Sequence, residues 1–495
     1  MTVAYLDAKR RSVAQKGTVT AWRSPITTER LGVLLDDQRR AYRHDGFPSA
    51  YVRRERLSRL LKALIAREHQ IAAAISADFG HRSDFETYLA EIFTSLQTIR
   101  HTRRQLGNWM RPSKRSMNLA FRPARAEVRA QPLGVVGIIS PWNYPFYLAI
   151  SPLVGALAAG NRVMIKPSEF TPQTSELLRE MIADTFSPEE VTVVTGGADL
   201  GESFARLPFD HLLFTGSTHV GKSVMRAAAE NLTPVTLELG GKSPAIIGPG
   251  FPMERAVKSI ITGKLLNAGQ TCIAPDYVMV PDGSLDLFVA HARQTVAAMY
   301  PNLAANPDYT AIINSRHHGR LQGYLGDAAE RGAQVVTINP AGESFDGDIG
   351  KMPPALVLQT NDDMAVMQEE IFGPILPVLT YRGLDEAIDY VNDHDRPLAL
   401  YYFDKDVSQI ERVLTETTSG GVCINETLMH IALDDLPFGG VGPSGMGHYH
   451  GFEGFETFSN TKGVFFQSRI NGAGLLRPPY GVLARKILDL MSGRK

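Results

Sequence analysis

Stretches typical of buried β-strands alternate with stretches typical of helices from residue 133 to residue 238. The first apolar run, "LGVVGIIS", is bounded by glycine and proline, and the next stretch, "YLAISPLVGALAAG", predicts a helix that ends at Gly160. Alternation at this spacing predicts βαβ units, whose parallel strands are covered by helices on both faces. The segment therefore predicts a doubly wound, Rossmann-like domain that binds a nucleotide at the carboxyl ends of its strands.

The same alternation starts again after residue 238 and predicts a second doubly wound α/β domain. A segment with helical periodicity, residues 51–80, precedes both. We assign residues 1–110 and 133–238 to the nucleotide-binding domain and residues 239–426 to the second domain. The predicted fold class is α/β with two parallel sheets.

Two further segments, 122–131 and 454–470, alternate without a clear core face. Strands of this kind commonly leave their domain and pair elsewhere, because an unpaired edge is open to another chain. We predict that residues 111–132 and 427–470 form a small β-arm that seals an oligomer, and a two-fold homodimer is the commonest closed assembly. Residues 471–495 are expected to form a C-terminal tail with a short amphipathic helix.

Composition excludes several classes of function. The formal net charge is −1, so the chain carries no electrostatic signature of nucleic-acid binding. Two cysteines cannot build a disulfide framework, and no CxxC or Cys/His cluster suggests a metal site, so we expect reduced thiols and a cytoplasmic location. The first 20 residues lack the apolar region of a signal peptide, and no apolar window of about 18 residues predicts a membrane span.

One cysteine, Cys272, lies in the segment "NAGQTCIAP", which is mostly small or polar. Residue type alone leaves two interpretations open: a small buried apolar side chain, as most free cysteines are, or a nucleophile. A nucleophile needs access to a cleft, a lowered thiol pKa and a nearby base. The break at Gly269 predicts a turn from which Cys272 could face a cleft. The other cysteine, Cys423, lies in the apolar strand "GGVCI" and is expected to be structural.

Two polar residues could assist such a thiol. Glu238 precedes two glycines in "LELGGKSP", and it is either a surface carboxylate beside a tight turn or a base of raised pKa in a partly dry pocket. Asn143, in "PWNYP", is either a cap for the following helix or a rigidly held amide that donates to an oxyanion. Both alternatives stay open for each residue at this stage.

Three turns after strands carry candidates for cofactor contacts. In "LLFTGSTHVGK" a Gly-Ser turn leads into a helix whose N-terminus would favour an anion, although a GxGxxG motif is absent. "IKPSE" offers a lysine and a glutamate to a ribose or an adenine edge, and "EEIFGP" offers a carboxylate and an aromatic ring to a ribose and a planar head group. The residues are Gly216 and Ser217, Lys166 and Glu169, and Glu370 and Phe372.

Together these segments resemble the aldehyde dehydrogenase superfamily. Each motif alone is weak, but seven of them in the family's order, from about residue 50 to about residue 465, are specific. The chain looks most like the class 3 branch, and its end is similar to that of bacterial coniferyl aldehyde dehydrogenases. The motifs are "PWNYP", "IKPSE", "FTGS", "LELGGKSP", "GQTC", "EEIFGP" and "PFGGVGPSGMG".

The resemblance implies a role for each matching residue. Cys272 would attack the aldehyde to form a thiohemiacetal, and Asn143 with the Cys272 N–H would hold its oxyanion. Hydride would pass to NAD, and Glu238 would activate the water that releases the acid from the resulting thioester. Within this scheme Lys166 and Glu169 bind the adenosine ribose, Gly216 and Ser217 the pyrophosphate, and Glu370 with Phe372 the nicotinamide ribose and ring. The full implied cofactor set is Trp142, Lys166, Glu169, Gly216, Ser217, Gly221, Glu370 and Phe372.

The resemblance leaves the cofactor and the aldehyde partly open. A carboxylate at position 169 should repel a 2′-phosphate and favour NAD, while class 3 relatives often accept NADP as well. An apolar tunnel is expected, which suits an aromatic or medium-chain aldehyde, coniferyl aldehyde among them. The residues that flank the catalytic groups are Tyr144, Leu266, Thr271 and Ile273.

Two other functions compete with this one. In a CoA-acylating relative, CoA rather than water resolves the thioester, and Glu238 argues against that because transfer to CoA does not need the base. In a non-enzymatic binding or structural protein, the catalytic residues would not be needed. Retention of Cys272, Glu238 and Asn143 together argues against that alternative.

Overall fold

The computed structural model describes residues 27–118, 121–345 and 350–493. The N-terminal segment in which the sequence shows no signal peptide lies outside the described residues. The described chain contains a six-stranded, a seven-stranded and a three-stranded sheet. The predicted fold class, α/β with two largely parallel sheets, is confirmed.

The six-stranded sheet is built mainly from the first alternating segment. Its strands are β3 (Val135–Ile139), β4 (Arg162–Lys166), β5 (Val191–Val193), β6 (His211–Thr215), β7 (Val235–Glu238) and β15 (Gly445–Met446). They stand in the order β15-β7-β6-β3-β4-β5, and β15 alone runs antiparallel to its neighbour. The inner strands are buried on both faces, which explains why the sequence shows continuous apolar runs there.

Helices cover both faces of this sheet. The helix predicted to end at Gly160 does so: that glycine has a left-handed φ of 96°, and every residue of the helix is buried. A π-helical turn, Tyr88–Phe93, joins two helices of the N-terminal part. The helices are α1 (Thr28–Asp45), α2 (Ala50–Asp78), α3 (Asp84–Thr87), α4 (Thr94–Trp109), α5 (Tyr147–Ala159), α6 (Pro172–Thr185), α7 (Ala198–Ala205) and α8 (Thr218–Ala229).

The seven-stranded sheet comes from the second alternating segment. Its strands are β8 (Pro244–Ile247), β9 (Tyr277–Pro281), β10 (Gln334–Thr337), β11 (Ala355–Leu358), β12 (Ile375–Tyr381), β13 (Ala399–Phe403) and β14 (Gly421–Ile424). The order is β10-β11-β12-β9-β8-β13-β14, with β10 antiparallel and the other pairs parallel. The associated helices are α9 (Met253–Leu265), α10 (Leu285–Met299), α11 (Ser315–Glu330), α12 (Ala365–Gln368), α13 (Leu384–Asp393) and α14 (Val407–Glu416).

The third sheet joins the two segments that alternate without a core face. It consists of β1 (Ser113–Arg115), β2 (Arg125–Pro132) and β16 (Ser459–Phe466), in the order β1-β2-β16, with both pairings antiparallel. The pairing of β2 with β16 is continuous, from Ser459 opposite Pro132 to Phe466 opposite Arg125. The two segments predicted as arms therefore pair with each other.

One part of the arm prediction is wrong. Residues 454–457, predicted to belong to an alternating strand, lie in helix α15 (Gly451–Thr457). The helix forms because its aromatic side chains are buried: Phe455 and Phe458 are almost inaccessible, and the ring of Phe458 packs at Gly155 of α5. The remaining elements are helix α16 (Val482–Met491) and three 3₁₀ turns, Leu266–Gly269, Met429–Ala432 and Ala473–Leu476.

We expect deletion of residues 454–495 to cause aggregation, whereas deletion of residues 471–495 should leave the protein soluble. The longer deletion removes β16 and the buried Phe455 and Phe458, and loss of one large buried aromatic side chain typically costs about 3–5 kcal/mol. The shorter deletion removes only a tail that contains the largely exposed α16. Light scattering on both truncations tests this. A soluble, monodisperse and active protein from the longer deletion would show that the arm is dispensable.

Candidate active site

Cys272 lies in a turn that is forced by an unusual backbone. Helix α9 ends at Leu265, and Asn267, Ala268 and Gly269 all have left-handed φ angles, of 54°, 52° and 78°. A Cβ atom on Gly269 would lie 2.3 Å from the carbonyl oxygen of Gly373, so only glycine allows the turn to pack against the "IFGP" segment. The prediction that the break at Gly269 places Cys272 in a turn is confirmed.

Hydrogen bonds connect this turn to Asn143. The Asn143 side chain is buried, and its Nδ2 donates to the carbonyl oxygen of Gln270 at 3.2 Å. Asn267 Nδ2 donates to the same carbonyl and to the carbonyl oxygen of Asn143, both at 3.1 Å. The N-cap residue of helix α5 is Phe146, and the Asn143 side chain donates to the Cys272 turn, so Asn143 is not a helix cap. Its amide instead donates to Gln270, which is two residues before Cys272 in the chain.

Cys272 lies in a largely buried environment that contains two carboxyl groups. Part of the Cys272 side chain is accessible, yet burial raises the pKa of its thiol, and the charges of Glu370 and Glu238 raise it further. The N–H groups of Cys272 and Ile273 point at the sulfur and lower the pKa, with a smaller effect. The folded environment therefore raises the thiol pKa, where a nucleophile needs it lowered, because desolvation and the two carboxyl groups outweigh the backbone dipoles.

Glu238 lies inside the pocket, not on the surface. It is the last residue of β7, it is 2% exposed, and neither carboxyl oxygen has a hydrogen-bond partner among the described residues. Its backbone is fixed by pairing with Gly445 of β15 and by the Gly216 N–H, which donates to its carbonyl at 3.0 Å. Burial raises the pKa of Glu238 well above its usual range, as a base in a dry site requires.

Glu370 is a second carboxyl group at the site, partly buried, and its inaccessible Oε1 is an unused acceptor. Burial raises the pKa of Glu370 to about 8. A Cβ atom on Gly240 would lie 2.1 Å from Glu370 Oε2, so the glycine pair beside Glu238 makes room for this carboxylate, and the Gly241 N–H donates to it. Glu370 Oε1 has no partner in the described part of the chain. A buried, unpaired acceptor of this kind fits the hydroxyl groups of a ribose.

The two ring candidates lie together near this carboxylate. Phe372 has a left-handed φ of 52°, which is rare for an aromatic residue. Its ring meets the edge of Trp142, with centroids 5.3 Å apart and planes at 73°. His317 packs on Trp142 from another side, at 4.9 Å. A residue with this strained backbone, close in the chain to the free oxygen of Glu370, is suited to pack its ring against a planar head group.

The predicted ribose and phosphate contacts lie at the carboxyl ends of strands in the six-stranded sheet. Lys166 ends β4 and its Nζ lies 3.2 Å from Glu169 Oε2. Gly216 follows β6, and Ser217 is the N-cap of α8. Gly221 contributes differently: it is buried within α8, where a Cβ atom would lie 2.6 Å from Leu239. Its absent side chain lets the helix pack closely on the sheet.

Three of the four proposed tunnel residues are buried near the Cys272 turn, and Leu266 is partly buried. Tyr144 and Thr271 are buried and share a hydrogen bond between their hydroxyl oxygens at 2.7 Å, and Ile273 is buried beside them. Sequence reasoning missed Tyr449, whose buried hydroxyl has no hydrogen-bond partner within the described residues. The charges of Glu238 and Cys272 both act on Tyr449, which places it at the same pocket. It also missed the buried pair Arg82 and Glu91 behind Asn143, which no sequence motif marks.

Comparison with known proteins agrees with this geometry. The model of the aldehyde dehydrogenase family matches residues 17–464, so the chain belongs to that family. It is an enzyme that oxidises aldehydes to acids. The particular branch is indicated by its relatives. A probable coniferyl aldehyde dehydrogenase of Pseudomonas aeruginosa is 55% identical and covers 98% of both chains.

Two more relatives support the same placement. The coniferyl aldehyde dehydrogenase of Pseudomonas sp. strain HR199 is 49% identical over 94% of this chain and 97% of its own length. The mouse aldehyde dehydrogenase family 3 member A2 is 42% identical over 86% of each chain. The resemblance to the class 3 branch is confirmed.

Solved structures share the fold. A substrate-bound AldH of Staphylococcus aureus has a TM-score of 0.88 and 40% identity, and the alignment covers 93% of this chain and 99% of that one. An NAD-dependent aldehyde dehydrogenase of Sinorhizobium meliloti has a TM-score of 0.82 and 26% identity, with 92% and 89% covered.

Two features are absent from the described residues. Among the described residues, no group of three or more His, Cys, Asp or Glu side chains is arranged to hold a metal ion. No helix in the part of the chain that the structure describes combines the length and the apolar character needed to cross a bilayer.

Proposed function

We propose that this enzyme oxidises an apolar aldehyde, aromatic or of medium chain length, with NAD as the cofactor and Cys272 as the nucleophile. The observation that carries the proposal is the convergence of Cys272, Asn143 and Glu238 in one pocket, although they come from three distant segments. Such an arrangement provides a nucleophile, an oxyanion donor and a base for hydrolysis.

In the first step the Cys272 sulfur attacks the aldehyde carbon, and its proton passes to a carboxylate. Both Glu370 and Glu238 act electrostatically on the thiol, and the raised pKa of each makes its ionised form a stronger acceptor for that proton. The carbonyl oxygen becomes an oxyanion, which the Asn143 amide and the Cys272 N–H stabilise. The product of this step is a thiohemiacetal on Cys272.

The residues of the cofactor site fit a nicotinamide dinucleotide. Bound NAD supplies the acceptor for the hydride of the thiohemiacetal. The free acceptor of Glu370 would hold the nicotinamide ribose, while Phe372 and Trp142 would orient the ring. Lys166 and Glu169 would hold the adenosine ribose, and Gly216 and Ser217 at the start of α8 would hold the pyrophosphate.

In the last step Glu238 takes a proton from water, and the water attacks the thioester to release the acid. The buried position of Glu238 suits this role, because a carboxyl group with a raised pKa is a stronger base. The same base argues against transfer to CoA, which does not need it. Glu238 and Cys272 therefore support hydrolysis of the thioester in preference to acyl transfer.

The aldehyde itself is proposed from the pocket and from the relatives. Phe438, Tyr449 and His450 form an aromatic cluster, in which Phe438 and His450 stack at 5.0 Å, and Tyr449 reaches the electrostatic environment of Cys272. Two relatives carry the name coniferyl aldehyde dehydrogenase, so we propose coniferyl aldehyde among the substrates. A steady-state screen against aromatic and medium-chain aldehydes, with NAD and with NADP, tests the proposal. Equal or better turnover of short polar aldehydes would contradict it.

We expect Glu169→Gln to shift the preference between cofactors toward NADP. Glu169 is partly exposed beside Lys166, and in the proposed pose its carboxylate repels a 2′-phosphate. Repulsion of this kind is about 1–3 kcal/mol, so the ratio of kcat/KM for NADP to that for NAD should rise by about 5- to 100-fold. Steady-state kinetics with both cofactors measure the ratio. An unchanged ratio would mean that Glu169 does not face the ribose.

The assembly and the location are further proposals. We infer a homodimer in which the sheet of β1, β2 and β16 lies at or beside the subunit interface, because its outer strands keep an unpaired edge. Light scattering on the intact protein measures the oligomeric state.

Both cysteines are free thiols, which suits a reducing compartment, and we propose that the enzyme is located in the cytoplasm.

A further inference from the structure

Behind the Asn143 turn lies a buried ion pair between Arg82 and Glu91. Arg82 Nη1 and Glu91 Oε1 are 2.9 Å apart, and neither side chain has measurable exposure. Arg82 precedes α3, and Glu91 lies in the π-helical turn before α4. Nothing in the proposed reaction uses either residue directly.

Arg82 contacts the backbone of the proposed oxyanion donor. The same Nη1 atom donates to the carbonyl oxygen of Asn143 at 2.9 Å. The guanidinium carbon lies 4.8 Å from the ring centroid of Tyr144 and 5.1 Å from that of Phe79. Arg82 therefore fixes the peptide after Asn143 and the aromatic residue next to it.

Glu91 contacts the other end of the same turn. Its second oxygen, Oε2, accepts the N–H groups of Phe146 and Tyr147, at 3.0 Å and 2.8 Å. These are the residues at which α5 begins, so Glu91 satisfies donors that a helix start leaves free. Together the two side chains hold the "PWNYP" segment from its carbonyl at position 143 to its first helical turn.

We propose that Arg82 and Glu91 are positioning residues that set the orientation of the Asn143 amide toward the oxyanion. The proposal rests on the function proposed above, in which Asn143 donates to the oxyanion. The carbonyl oxygen of Asn143 accepts hydrogen bonds from the side chains of Arg82 and Asn267. The side chain of Asn143 donates to the carbonyl oxygen of Gln270 in the Cys272 turn. Movement of its peptide would carry the amide away from the thiol.

Stability alone does not account for this pair. A buried ion pair often contributes little net stability, because both charges lose their hydration. Arg82 also leaves two guanidinium nitrogens, Nε and Nη2, without a hydrogen-bond partner in the described chain, which adds to the cost. An arrangement that is costly but geometrically specific, directly behind a proposed catalytic amide, is consistent with a role in positioning.

The test compares Arg82→Met, Arg82→Lys and Glu91→Gln with a matched control pair. Arg56 and Glu190 form another ion pair, with Nε and Oε1 2.9 Å apart, in which Arg56 is buried and Glu190 is partly buried and also bound by Arg59. Neither residue is among the site residues, so Arg56→Met controls for the loss of a buried arginine from an ion pair. Stopped-flow measurement of the first-turnover burst of NADH reports hydride transfer, and fluorescence titration reports NAD binding.

We expect Arg82→Met and Glu91→Gln to slow the burst by about 10- to 100-fold, because misplacement of a catalytic group by about 1 Å can have an effect of that size. The affinity for NAD should stay within about threefold of the wild-type value, since the cofactor residues are not touched. Arg82→Lys should restore most of the rate, because lysine keeps the charge and one donor. Arg56→Met should leave the burst rate unchanged while it lowers the melting temperature.

A double-mutant cycle with Asn143→Ala shows whether the effect acts through Asn143. Removal of an oxyanion donor should slow the burst by about 100- to 1000-fold, and Arg82→Met should then add less than about threefold. Equal slowing by Arg82→Met in both backgrounds would overturn the inference, and so would an unchanged burst in Arg82→Met. If Arg82→Met does not fold, an unchanged burst rate in the single variant Glu91→Gln would overturn the inference instead. An unchanged burst in Asn143→Ala would contradict the proposed role of Asn143 itself.

Discussion

Cys272→Ala is expected to abolish aldehyde oxidation while NAD binding stays largely intact. The sulfur is the only proposed nucleophile in the pocket, and without it no thiohemiacetal can form, so kcat should fall by about 1000-fold or more. The proposed cofactor contacts lie on other segments, at Lys166, Gly216 and Glu370, and none of them depends on the thiol. Steady-state NADH formation measures the first effect, and fluorescence titration with NAD measures the second.

Cys423→Ala is the matched control, because the chain has only these two cysteines. Cys423 lies in β14 at the edge of the seven-stranded sheet and packs against the core, and it is not among the residues proposed to bind the cofactor. Its replacement should preserve turnover and change stability slightly. A Cys272→Ala variant that kept even a tenth of the wild-type turnover would show that the covalent mechanism is wrong.

The sheets could be predicted from the sequence because their signal is local. Strands such as β3 and β6 are short apolar runs next to glycine or proline, and helix α5 carries its own stop at Gly160. Burial on both faces forces this pattern, so a single stretch is enough to see it. The wrong prediction at α15 also has a local cause. Phe455 and Phe458 are three residues apart, a spacing that suits a helix, and the Phe458 ring packs at Gly155 of α5.

The environment of the site could not be predicted in the same way. The thiol pKa depends on how deeply Cys272 is buried and on two carboxylates, Glu238 and Glu370, which are 34 and 98 residues away in the chain. The partnership of Arg82 with Asn143 spans 61 residues and follows from tertiary packing alone. Sequence motifs indicate which side chains are candidates for the chemistry, whereas their protonation and support arise from the folded arrangement.

Glu238→Gln is expected to separate the two halves of the reaction. Hydride transfer should still occur once per site, because Cys272 and Asn143 are intact, and Glu370 can accept the thiol proton. The thioester should then accumulate, since glutamine cannot take a proton from water. A burst of NADH close to one equivalent should be followed by turnover that is slower by about 100- to 10,000-fold, the usual range for loss of a general base. Stopped-flow absorbance resolves the two phases.

The pH dependence of turnover is a second, independent test of the role of Glu238 as a base. Burial raises the pKa of Glu238, and only its carboxylate form can act as a base, so hydrolysis should accelerate as pH rises through that raised pKa. In Glu238→Gln this rising limb should be absent from the slow phase, because glutamine does not titrate. Loss of the burst itself, with only slow linear formation of NADH, would instead place Glu238 before hydride transfer, as the group that accepts the Cys272 proton.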